Sequence, residues 1–423
     1  MRFGLSARMF IGLAAGLVLG VAANLTLAGA PGLEWFVRHV TEPAGKIFLR
    51  LLFMLVIPLI LAALSLGVAG LGDVRRLGRI GLKTLAYTVV VSAIAVLLGV
   101  GMVNLFKPGA GLSPELKARL STQASAAPPP APAAGASGVD FLVNLVPNNI
   151  VKTMADGDML ALMVFSLFLG LGLALTRTEP ARRLEEAVQG LYDVVMFLLG
   201  MVIQVAPIGV ACLLFTLTAR LGLDVLRQLG AYVLVVVGAL LIHQFVVYSI
   251  AVAWLGRMHP VTFFRAIRDA MVTAFSTASS NATLPTSLMV AERNLKLPPH
   301  VSRFVLTIGS TANQNGTALF EGVTVLFLAQ FFGVELTVAQ QITVCFICVL
   351  GGIGTAGVPA GSIPVVVMIL GMVGVPPEGI GMILGVDRFL DMCRTTLNVT
   401  GDLAAAVVVS RGEESPAPAP APV

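Results

Sequence analysis

The stretch DRFLDMCRTTLNVTGD, residues 387–402, decides the fold, because it carries charge into an otherwise apolar segment near the end of the chain. Its polar residues follow one another at steps of four, three, four and four, and they are Asp387, Asp391, Arg394, Asn398 and Asp402. This spacing puts side chains on one face of a helix. Ionisable residues deep in a membrane-spanning helix are costly and mark substrate or ion pathways. The stretch therefore predicts a membrane helix with one functional face.

The chemistry of this face fits a small charged solute together with a cation. Arg394 offers a planar fork suited to two-pronged binding of a carboxylate, and Asp391, one turn away, could receive an ammonium. Asn398 and Asp402 supply hard oxygens of the kind that alkali cations prefer. The alternative that an internal Asp–Arg pair only holds helices together stays open here. Arg388 is predicted to point off the face and to snorkel or pair elsewhere.

The composition is that of a membrane protein. Of 423 residues, 57% are hydrophobic and only 12% are charged, against roughly 25% in soluble domains, and the mean hydropathy is +0.93. Membrane bundles tolerate the 44 glycines and 24 prolines, because neighbouring helices re-satisfy the freed backbone groups. The basic residues form no continuous face with aromatics, which argues against nucleic-acid binding. No nucleophile–base pair or metal cluster is recognisable, which argues against an enzyme.

The order of the apolar runs predicts six simple membrane helices, near residues 8–28, 44–70, 80–106, 140–176, 184–219 and 226–256. The connector Gly72–Lys83 is rich in arginine and lysine, so the positive-inside rule places it in the cytoplasm. Alternation then places both termini in the cytoplasm, and we expect a multi-pass protein of a bacterial inner membrane. The proline-rich segment 108–138 is predicted to be a flexible periplasmic loop, and the tail 411–423 to be disordered.

After residue 257 two polar, glycine- or proline-containing segments each interrupt a pair of half-length apolar runs. Ser276–Pro285 is the first and Gly351–Ser362 the second, and each is predicted to be the tip of a re-entrant helical hairpin. A helix with a polar centre follows each tip, at Thr311–Thr317 and at Asp387–Asp402. Such paired interruptions, entered from opposite sides, are the best sequence pointer to a transporter's binding site. Two glycine-rich loops between ordinary helices are the alternative.

The polar centre of the first of these helices offers a second set of oxygens. Asn313, Asn315 and Thr317 surround Gly316, which is predicted to permit local unwinding, and unwound carbonyls hold sodium in transporters. Glu321 lies one turn further on in an apolar stretch. Such a setting favours the protonated form of a carboxyl, so Glu321 could carry a proton. A purely structural carboxyl, held by hydrogen bonds, is the alternative.

The sequence resembles the dicarboxylate/amino acid:cation symporter family, which includes the excitatory amino-acid transporters and archaeal aspartate-transporting homologues. The motifs that carry the resemblance are MLVIP at 54–58, SSNATLP at 279–285, NQNGT at 313–317, GTAGVP at 354–359 and DMCRTTLN at 391–398. The resemblance implies an all-α polytopic membrane protein with eight transmembrane helices, two re-entrant hairpins and inverted repeats. It also implies a homotrimer in which a transport domain moves like an elevator.

The resemblance further implies how the chain is divided and what it does. Residues 1–256 would form mainly the scaffold and trimerisation helices, with the third and sixth helices joining the transport domain, and residues 257–410 would form the transport core. The implied activity is symport of an acidic amino acid such as glutamate or aspartate with protons, sodium or both. A C4-dicarboxylate symporter of the same fold is the alternative. No covalent cofactor is expected, and the expected partners are a small anionic solute, membrane lipid and two further copies of the chain.

The family's binding residues carry over onto matching positions of this sequence. Arg394 would bind the side-chain carboxylate of the substrate and Asp391 its amino group. The implied substrate contacts are Arg394, Asp391, Thr395, Asn398, Thr317, Ser280, Gly357 and Val358. One sodium site would use Gly309, Asn313, Asn398 and Asp402, and a second would use Thr311, Gly352, Ile353 and Thr355. Glu321 matches the proton-carrying glutamate of the animal transporters.

Several positions depart from the family pattern. Asn315 stands where a sodium-binding carboxylate is usual, and Val91 replaces a threonine of the same site. Two ligands of one cation site are altered together, so we expect this sodium to be weak or absent and a proton to take part in coupling. Ala278 and Met392 stand where an additional arginine is found in related carriers. The pocket is therefore less positive than in strict aspartate carriers.

Overall fold

The computed structural model describes residues 5–27, 29–70, 79–110, 146–156, 159–176, 178–222, 224–354 and 361–413. Every regular element within these ranges is helical. Most of the predicted periplasmic loop, at 111–138, and most of the predicted disordered tail, at 414–423, lie outside the described residues.

The first part of the chain, as far as residue 242, supplies nine α-helices within the described ranges. They are α1 (Leu5–Leu27), α2 (Pro31–Phe36), α3 (Glu42–Phe53), α4 (Val56–Gly70), α5 (Arg79–Phe106), α6 (Ile150–Asp156), α7 (Met159–Leu175), α8 (Glu179–Leu221) and α9 (Asp224–Ile242). A π-helical turn, Val37–Thr41, joins α2 to α3. The chain continues helically after α9 through π-helical turns at His243–Val247 and Ala251–Leu255.

The second part of the chain supplies eight further helices. They are α10 (Pro260–Ala266), α11 (Arg268–Thr277), α12 (Ser280–Arg293), α13 (Pro299–Ala312), α14 (Asn315–Phe332), α15 (Val338–Gly354), α16 (Ile363–Met372) and α17 (Ile380–Ser410). The central helices α14 and α17 are buried along nearly their whole length. Helices α5, α11, α13 and α15 pack around them.

Among the residues that the structure describes, four helical stretches are long and apolar enough to cross a bilayer, which needs about 20 residues. They are Arg79–Phe106, Glu179–Arg220, Leu226–Leu255 and Pro299–Phe332. The last of the four includes both α13 and α14. Shorter apolar helices cover Ile11–Leu27, Ile57–Leu66, Ala161–Leu175, Val338–Ile353 and Ile363–Met372. Large apolar side chains such as Leu105, Leu234 and Trp254 are about three-quarters exposed. An outer surface of this kind suits contact with lipid tails rather than water.

The predicted helix at 44–70 is divided in two. Helix α3 ends at Phe53, and α4 begins at Val56 after a turn at Met54 and Leu55. The cause is Pro58, whose ring meets the carbonyl of the residue four positions earlier, Met54, and which has no N–H to bond to it. The prediction of a single helix here was wrong.

Helix α1 packs along α8 through a row of glycines. Gly12, Gly16 and Gly20 lie against Pro207, Ala211 and Phe215, respectively. A Cβ atom added to Gly16 would lie only 2.5 Å from the Ala211 carbonyl oxygen. Small residues every four positions let two membrane helices approach to backbone contact, where van der Waals packing holds them together. Because the numbering rises together along both helices, α1 and α8 run parallel.

Helices α11 and α12 form a tight hairpin. Ala278 adopts a left-handed conformation with a φ of 50°, and Ser279 is extended. The Ser279 side chain caps α12 by accepting a hydrogen bond from the backbone N–H of Ala282 at 3.2 Å. The far end of the hairpin is held to α10, because Asn294 Nδ2, just after α12, donates to the carbonyl of Ala266, the last residue of α10, at 2.8 Å. The interruption predicted at Ser276–Pro285 is thus a turn between two antiparallel helices.

Candidate binding site on the last helix

Helix α17 buries the whole set of charged and amide side chains that lie at helical spacing. The exposed fractions are 4% for Asp387, 4% for Asp391, 1% for Arg394, 1% for Asn398 and 3% for Asp402. The interior of this 31-residue helix contains no proline, which would remove a backbone hydrogen bond and kink the helix. Burial of so many polar groups is costly unless each is paired or takes part in function.

Arg394 is the centre of the site. Its Nη1 donates to Asp387 Oδ1 at 2.8 Å, and its Nε donates to Asp391 Oδ1 at 3.0 Å. The guanidinium carbon lies 4.2 Å from the centre of the Phe320 ring, a cation–π contact from α14. Nη2, although buried, has no hydrogen-bond partner in the part of the chain that the structure describes. The Arg394 guanidinium is thus held by carboxylates at Nε and Nη1, while its unbonded Nη2 can donate hydrogen bonds to an anion.

The pairing of Asp387 with Arg394 and the contact with Phe320 were not anticipated from sequence. Asp387 lies seven residues before Arg394, which is two helical turns, so the spacing alone could have indicated that pair. Phe320 belongs to a different helix, and only the packing of α14 on α17 brings it close. Arg388 also differs from expectation, because its Nη1 lies 3.8 Å from Asp391 Oδ2. The prediction that Arg388 points off this face was wrong, since its long side chain reaches Asp391, which lies one turn further along the helix.

The helix break opposite α17 lies at Asn313 and Gln314. Their backbone angles, φ −115° and ψ 56° for Asn313 and φ −92° and ψ 60° for Gln314, are not helical. Gly316, where unwinding was predicted, is instead in the first turn of α14. A Cβ atom there would lie 2.6 Å from the Arg394 carbonyl oxygen. Glycine is therefore required for close approach of α14 to α17, and the unwinding prediction was wrong by two to three positions.

Asn398 connects this break to α17 with both ends of its amide. Its Oδ1 accepts a hydrogen bond from the Gly316 backbone N–H at 2.7 Å. Its Nδ2 donates to Gln314 Oε1 at 2.6 Å and to Thr317 Oγ1 at 3.1 Å. Thr317 and Asn398, both predicted substrate contacts, are thus adjacent. Gln314 was missed from sequence, although it lies within the motif NQNGT.

A second group of oxygens lies one turn further along α17. Asn313 Nδ2 donates to Asp402 Oδ1 at 2.9 Å, while Asn313 Oδ1 is buried and has no partner among the described residues. Gly309 lies against the same carboxylate, because a Cβ atom there would be 2.5 Å from Asp402 Oδ1. The structure thus brings together Gly309, Asn313 and Asp402. Oxygens of this type, converging at a helix break, suit a hard monovalent cation.

The other predicted cation ligands lie around the start of the second interruption. The Gly352 carbonyl accepts a hydrogen bond from the Gln314 backbone N–H at 3.2 Å, which joins α15 to the helix break. Ile353 is buried, whereas the side chain of Thr311 is exposed and donates to the Ile308 carbonyl at 3.0 Å. Thr355, together with the predicted substrate contacts Gly357 and Val358, lies outside the described residues.

Thr395 and Ser280 are both buried. Thr395, on α17, is 4% exposed, and Ser280, at the start of α12, is 3% exposed. The Ser280 hydroxyl has no hydrogen-bond partner within the described ranges. Both helices of the α11–α12 hairpin pack against α17, so the hairpin turn contributes a vacant hydroxyl to the same region of the molecule.

Asn315 is part of a chain of hydrogen bonds that runs from Ser92 to the Leu397 carbonyl. Ser92 Oγ donates to Asn315 Oδ1 at 2.6 Å, and Asn315 Nδ2 donates to the Tyr248 hydroxyl at 3.0 Å. The Tyr248 hydroxyl in turn donates to the Leu397 carbonyl at 3.2 Å. Both functional ends of the Asn315 amide are therefore engaged by protein. Tyr248 was missed, because nothing in its apolar surroundings marks it in the sequence.

Glu321 is fully buried in α14. Its neighbour is α15, since a Cβ atom added to Gly351 would lie 2.8 Å from Glu321 Oε2. Gly351 directly precedes Gly352, whose carbonyl reaches the helix break. The Glu321 carboxyl thus lies against α15, beside the segment whose Gly352 carbonyl reaches the helix break at Gln314.

Comparison of the whole sequence with known protein families agrees with this arrangement of residues. A model of the sodium:dicarboxylate symporter family matches residues 5–412. The chain belongs to this family. The resemblance inferred from the motifs is confirmed, and this member of the sodium:dicarboxylate symporter family is a multi-pass membrane transporter rather than an enzyme.

Named relatives of this family member cover most of the chain. The proton/glutamate-aspartate symporter of Escherichia coli (strain K12) is 35% identical over 381 residues, which are 90% of this chain and 87% of that protein. The proton/sodium-glutamate symport protein of Geobacillus stearothermophilus is 34% identical over 372 residues, covering 88% and 87%. Excitatory amino acid transporter 2 of Homo sapiens is 32% identical over 416 residues, covering 86% and 72%.

Proposed function

We propose that this chain is a symporter that moves an acidic amino acid, glutamate or aspartate, together with protons, sodium or both. The observation that carries the proposal is the buried Arg394, fixed on one edge by Asp387 and Asp391 and open at Nη2. The relatives named above, which share about a third of their residues with the chain, are proton- and sodium-coupled glutamate or aspartate symporters by name.

The proposed substrate contacts follow from this geometry. The side-chain carboxylate of the substrate binds Arg394 Nη2, and its ammonium faces Asp391. The vacant hydroxyl of Ser280 and the side chains of Thr317, Thr395 and Asn398 complete the pocket, with Gly357 and Val358 of the second hairpin as its cover. A fixed, dehydrated guanidinium binds a carboxylate more strongly and more selectively than one in water.

A C4-dicarboxylate is the second candidate substrate, and Asp391 discriminates between the two. Asp391 is 4% exposed, shares the Arg394 guanidinium with Asp387 and lies 3.8 Å from Arg388, so it brings a second carboxylate next to the proposed ligand. A dicarboxylate places a second anion near it, whereas an amino acid places a cation there. Like charges in a buried site repel strongly, so the presence of Asp391 favours the amino acid.

We infer that the fold is the one the family resemblance implies: eight transmembrane helices and two re-entrant hairpins in an inverted repeat, with both termini in the cytoplasm. Residues 1–256 form mainly the scaffold of a homotrimer, except that the third and sixth helices join the transport domain. Residues 257–410 form the core of this moving transport domain. The closed α11–α12 hairpin supports the first re-entrant element. The backbone contact of α1 with α8 supports a rigid scaffold.

The proposed sodium sites use the oxygens near the helix break. Asn313, Asp402, Asn398 and the Gly309 carbonyl form one site, and the unpartnered Asn313 Oδ1 supports it. The second uses the Thr311 backbone with the carbonyls of Gly352, Ile353 and Thr355. Asn315 belongs to the cation site that departs from the family pattern. Its side-chain amide accepts a hydrogen bond from Ser92 and donates one to Tyr248. A neutral amide with both ends engaged attracts a cation weakly, which favours a proton in place of that sodium.

Uptake of labelled L-aspartate and L-glutamate into proteoliposomes tests this function. An imposed sodium gradient is compared with an imposed pH gradient in sodium-free buffer, and Arg394→Lys serves as the site variant. We expect uptake on the pH gradient alone, stimulation by sodium, and loss of most uptake in the variant, since a lysine lacks the planar fork. Uptake of succinate but of neither amino acid would overturn the proposed substrate. Uptake that strictly requires sodium would overturn the proton coupling.

Glu321 is the proposed proton carrier, so Glu321→Gln is expected to flatten the pH dependence of uptake. A glutamine has the same shape but no titratable group. The measurement is the initial rate of glutamate uptake from pH 5 to pH 8 in proteoliposomes, with Glu335→Gln, an exposed glutamate just beyond α14, as the matched control. An unchanged pH profile in Glu321→Gln would refute the proton role.

A further inference from the structure

A basic cavity lies at the end of the bundle where α1 and α8 finish. Its volume is about 580 Å³, within the range of roughly 300–1,000 Å³ that small-ligand sites occupy. Its lining includes Arg38, Glu42, Lys46, Ile47, Arg50 and Arg220. None of these residues belongs to the face of α17 or to the helix break, so the cavity is separate from the transport site.

The cavity has more positive than negative charge. Arg220 Nη2 lies 3.1 Å from Glu34 Oε1 and 3.1 Å from Glu42 Oε2. Lys46 pairs with Glu42 at 2.7 Å, and Arg38 lies 4.0 Å from Glu34. With Arg50, four basic side chains face two carboxylates, which leaves a surplus of two positive charges. Arg220 alone engages both acids, so it holds the cluster together rather than offering a vacant site.

Arg50 is the cation that this network does not use. It lines the cavity and is exposed, and its guanidinium forms no ion pair or hydrogen bond with any residue that the structure describes. It lies one turn after Lys46 on the same face of α3, and both side chains end at the cavity. Lys46 and Arg50 are neighbouring cations with only one carboxylate, Glu42, paired to them. Such a pair can bind a phosphate or carboxylate group of a ligand.

Exposed apolar side chains lie in the lining of the cavity and close to it in the chain. Ile47 lies in the lining and is 61% exposed, and Trp35, Phe36 and Val40, within three residues of Arg38, are 60%, 41% and 41% exposed. Tryptophan is enriched where a membrane meets water. A ligand that matches both parts of this surface is an amphiphile with an anionic head and apolar chains.

We propose that this cavity binds the headgroup of an anionic phospholipid. The phosphodiester lies between Arg50, Lys46 and Arg38, and the acyl chains run along the exposed apolar side chains beside Ile47. Arginine binds phosphate oxygens through two parallel N–H donors, and lysine binds phosphate as a point charge. The proposal does not depend on which solute the protein transports. The ion pair between Glu42 and Arg220 already joins α3 to the end of α8, so a bound lipid would lie beside an existing link between these helices.

The test compares lipids by thermal stability and by native mass spectrometry of the full-length protein in detergent. The probes are phosphatidylglycerol, phosphatidylcholine with the same chains, and soluble glycerol 3-phosphate. The site variants are Arg50→Gln and the pair Arg38→Gln with Arg50→Gln. The control is Arg227→Gln, which removes an exposed arginine near the start of α9 that does not line the cavity.

Phosphatidylglycerol is expected to raise the melting temperature and to remain bound in the wild type and in Arg227→Gln. Arg50→Gln should weaken retention about five-fold and the double variant about 25-fold, since each basic residue at an anionic surface contributes about a factor of five. Equal effects of phosphatidylcholine, or equal retention in all variants, would contradict the proposal. A matching effect of glycerol 3-phosphate would make this a soluble-anion site. Dissociation of an oligomer in the site variants, regardless of lipid, would instead assign the cavity to contact between copies.

Discussion

At the scale of single residues, the site depends on how closely α14 approaches α17. Gly316 allows this approach, because its position leaves no room for a Cβ atom beside the Arg394 carbonyl. The contact lets Asn398 accept from the Gly316 N–H and brings Phe320 over the Arg394 guanidinium. The positions of Arg394 and Asn398 relative to α14 therefore depend on Gly316, although this glycine has no side chain to bind a ligand.

Gly316→Ala should destabilise the protein by about 1–3 kcal/mol, the usual cost of overpacking a close contact. Gly101→Ala is the matched control, since Gly101 lies within helix α5 with no atom near the position of its Cβ. Alanine there should stabilise by roughly 0.5–1 kcal/mol. The measurement is the thermal unfolding of both variants in detergent. Equal shifts in the two variants would show that the contact between α14 and α17 is looser than described.

At the scale of helices, the parallel packing of α1 on α8 depends on a row of small residues. Backbone contact at Gly12, Gly16 and Gly20 replaces the hydrophobic driving force that is missing in lipid. The row was available from sequence as three glycines spaced by four, but its partner helix was not, since α8 lies about 190 residues later and only the fold shows which helix it meets.

Gly16→Ala should separate α1 from α8 and lower the melting temperature, with a cost of about 1–3 kcal/mol. Its control is Gly200→Ala on α8, where no atom lies near the added methyl group. The two variants have the same chemistry and differ only in what the methyl group meets. A Gly16→Ala protein as stable as Gly200→Ala would argue against the helix pairing described here.

Helical periodicity allowed the polar face of α17 and the α11–α12 hairpin to be located from sequence, because both are local patterns. It did not locate contacts that depend on other helices, such as Phe320 over Arg394 or Tyr248 beside Asn315. It also misplaced the break before α14, since Gly316 looked like the flexible position. The break lies at Asn313 and Gln314, where the Gly352 carbonyl accepts from the Gln314 backbone N–H. The side chains of Asn398 and Asp402 bind the side-chain amides of Gln314 and Asn313, respectively.

At the scale of the whole molecule, an ion cluster ties the end of α17 to the start of α5. Glu413 Oε1 accepts from Lys83 Nζ and from Arg79 Nη2, both at 3.0 Å. The hydrogen bond from Lys83, together with the charges of Arg79 and Lys83, lowers the pKa of Glu413 from its ordinary value. A carboxyl with a lowered pKa in the folded state adds stability above its unfolded pKa and loses it as the pH falls through the folded value.

Glu413→Gln should therefore lower the melting temperature at pH 7, and the difference from the wild type should shrink as the pH falls below about 4.3, the ordinary pKa of a glutamate. Melting curves from pH 7 to pH 3 in detergent provide the measurement. Glu186→Gln, an exposed glutamate on α8, is the control and should change little. A difference at pH 7 that persists unchanged at pH 3 would mean that shape rather than charge holds the two helix ends together.

The most direct test of the whole account is binding of L-aspartate and succinate to the wild type and to Asp391→Asn, measured by calorimetry at fixed sodium and pH. The two ligands differ only in the ammonium group. We predict that the wild type binds aspartate at least 100-fold more tightly than succinate, because the ammonium faces Asp391 in a buried site. Asp391→Asn should remove most of this preference by weakening aspartate binding. Equal binding of both ligands by the wild type, with no change in Asp391→Asn, would contradict the assignment of this face to an acidic amino acid.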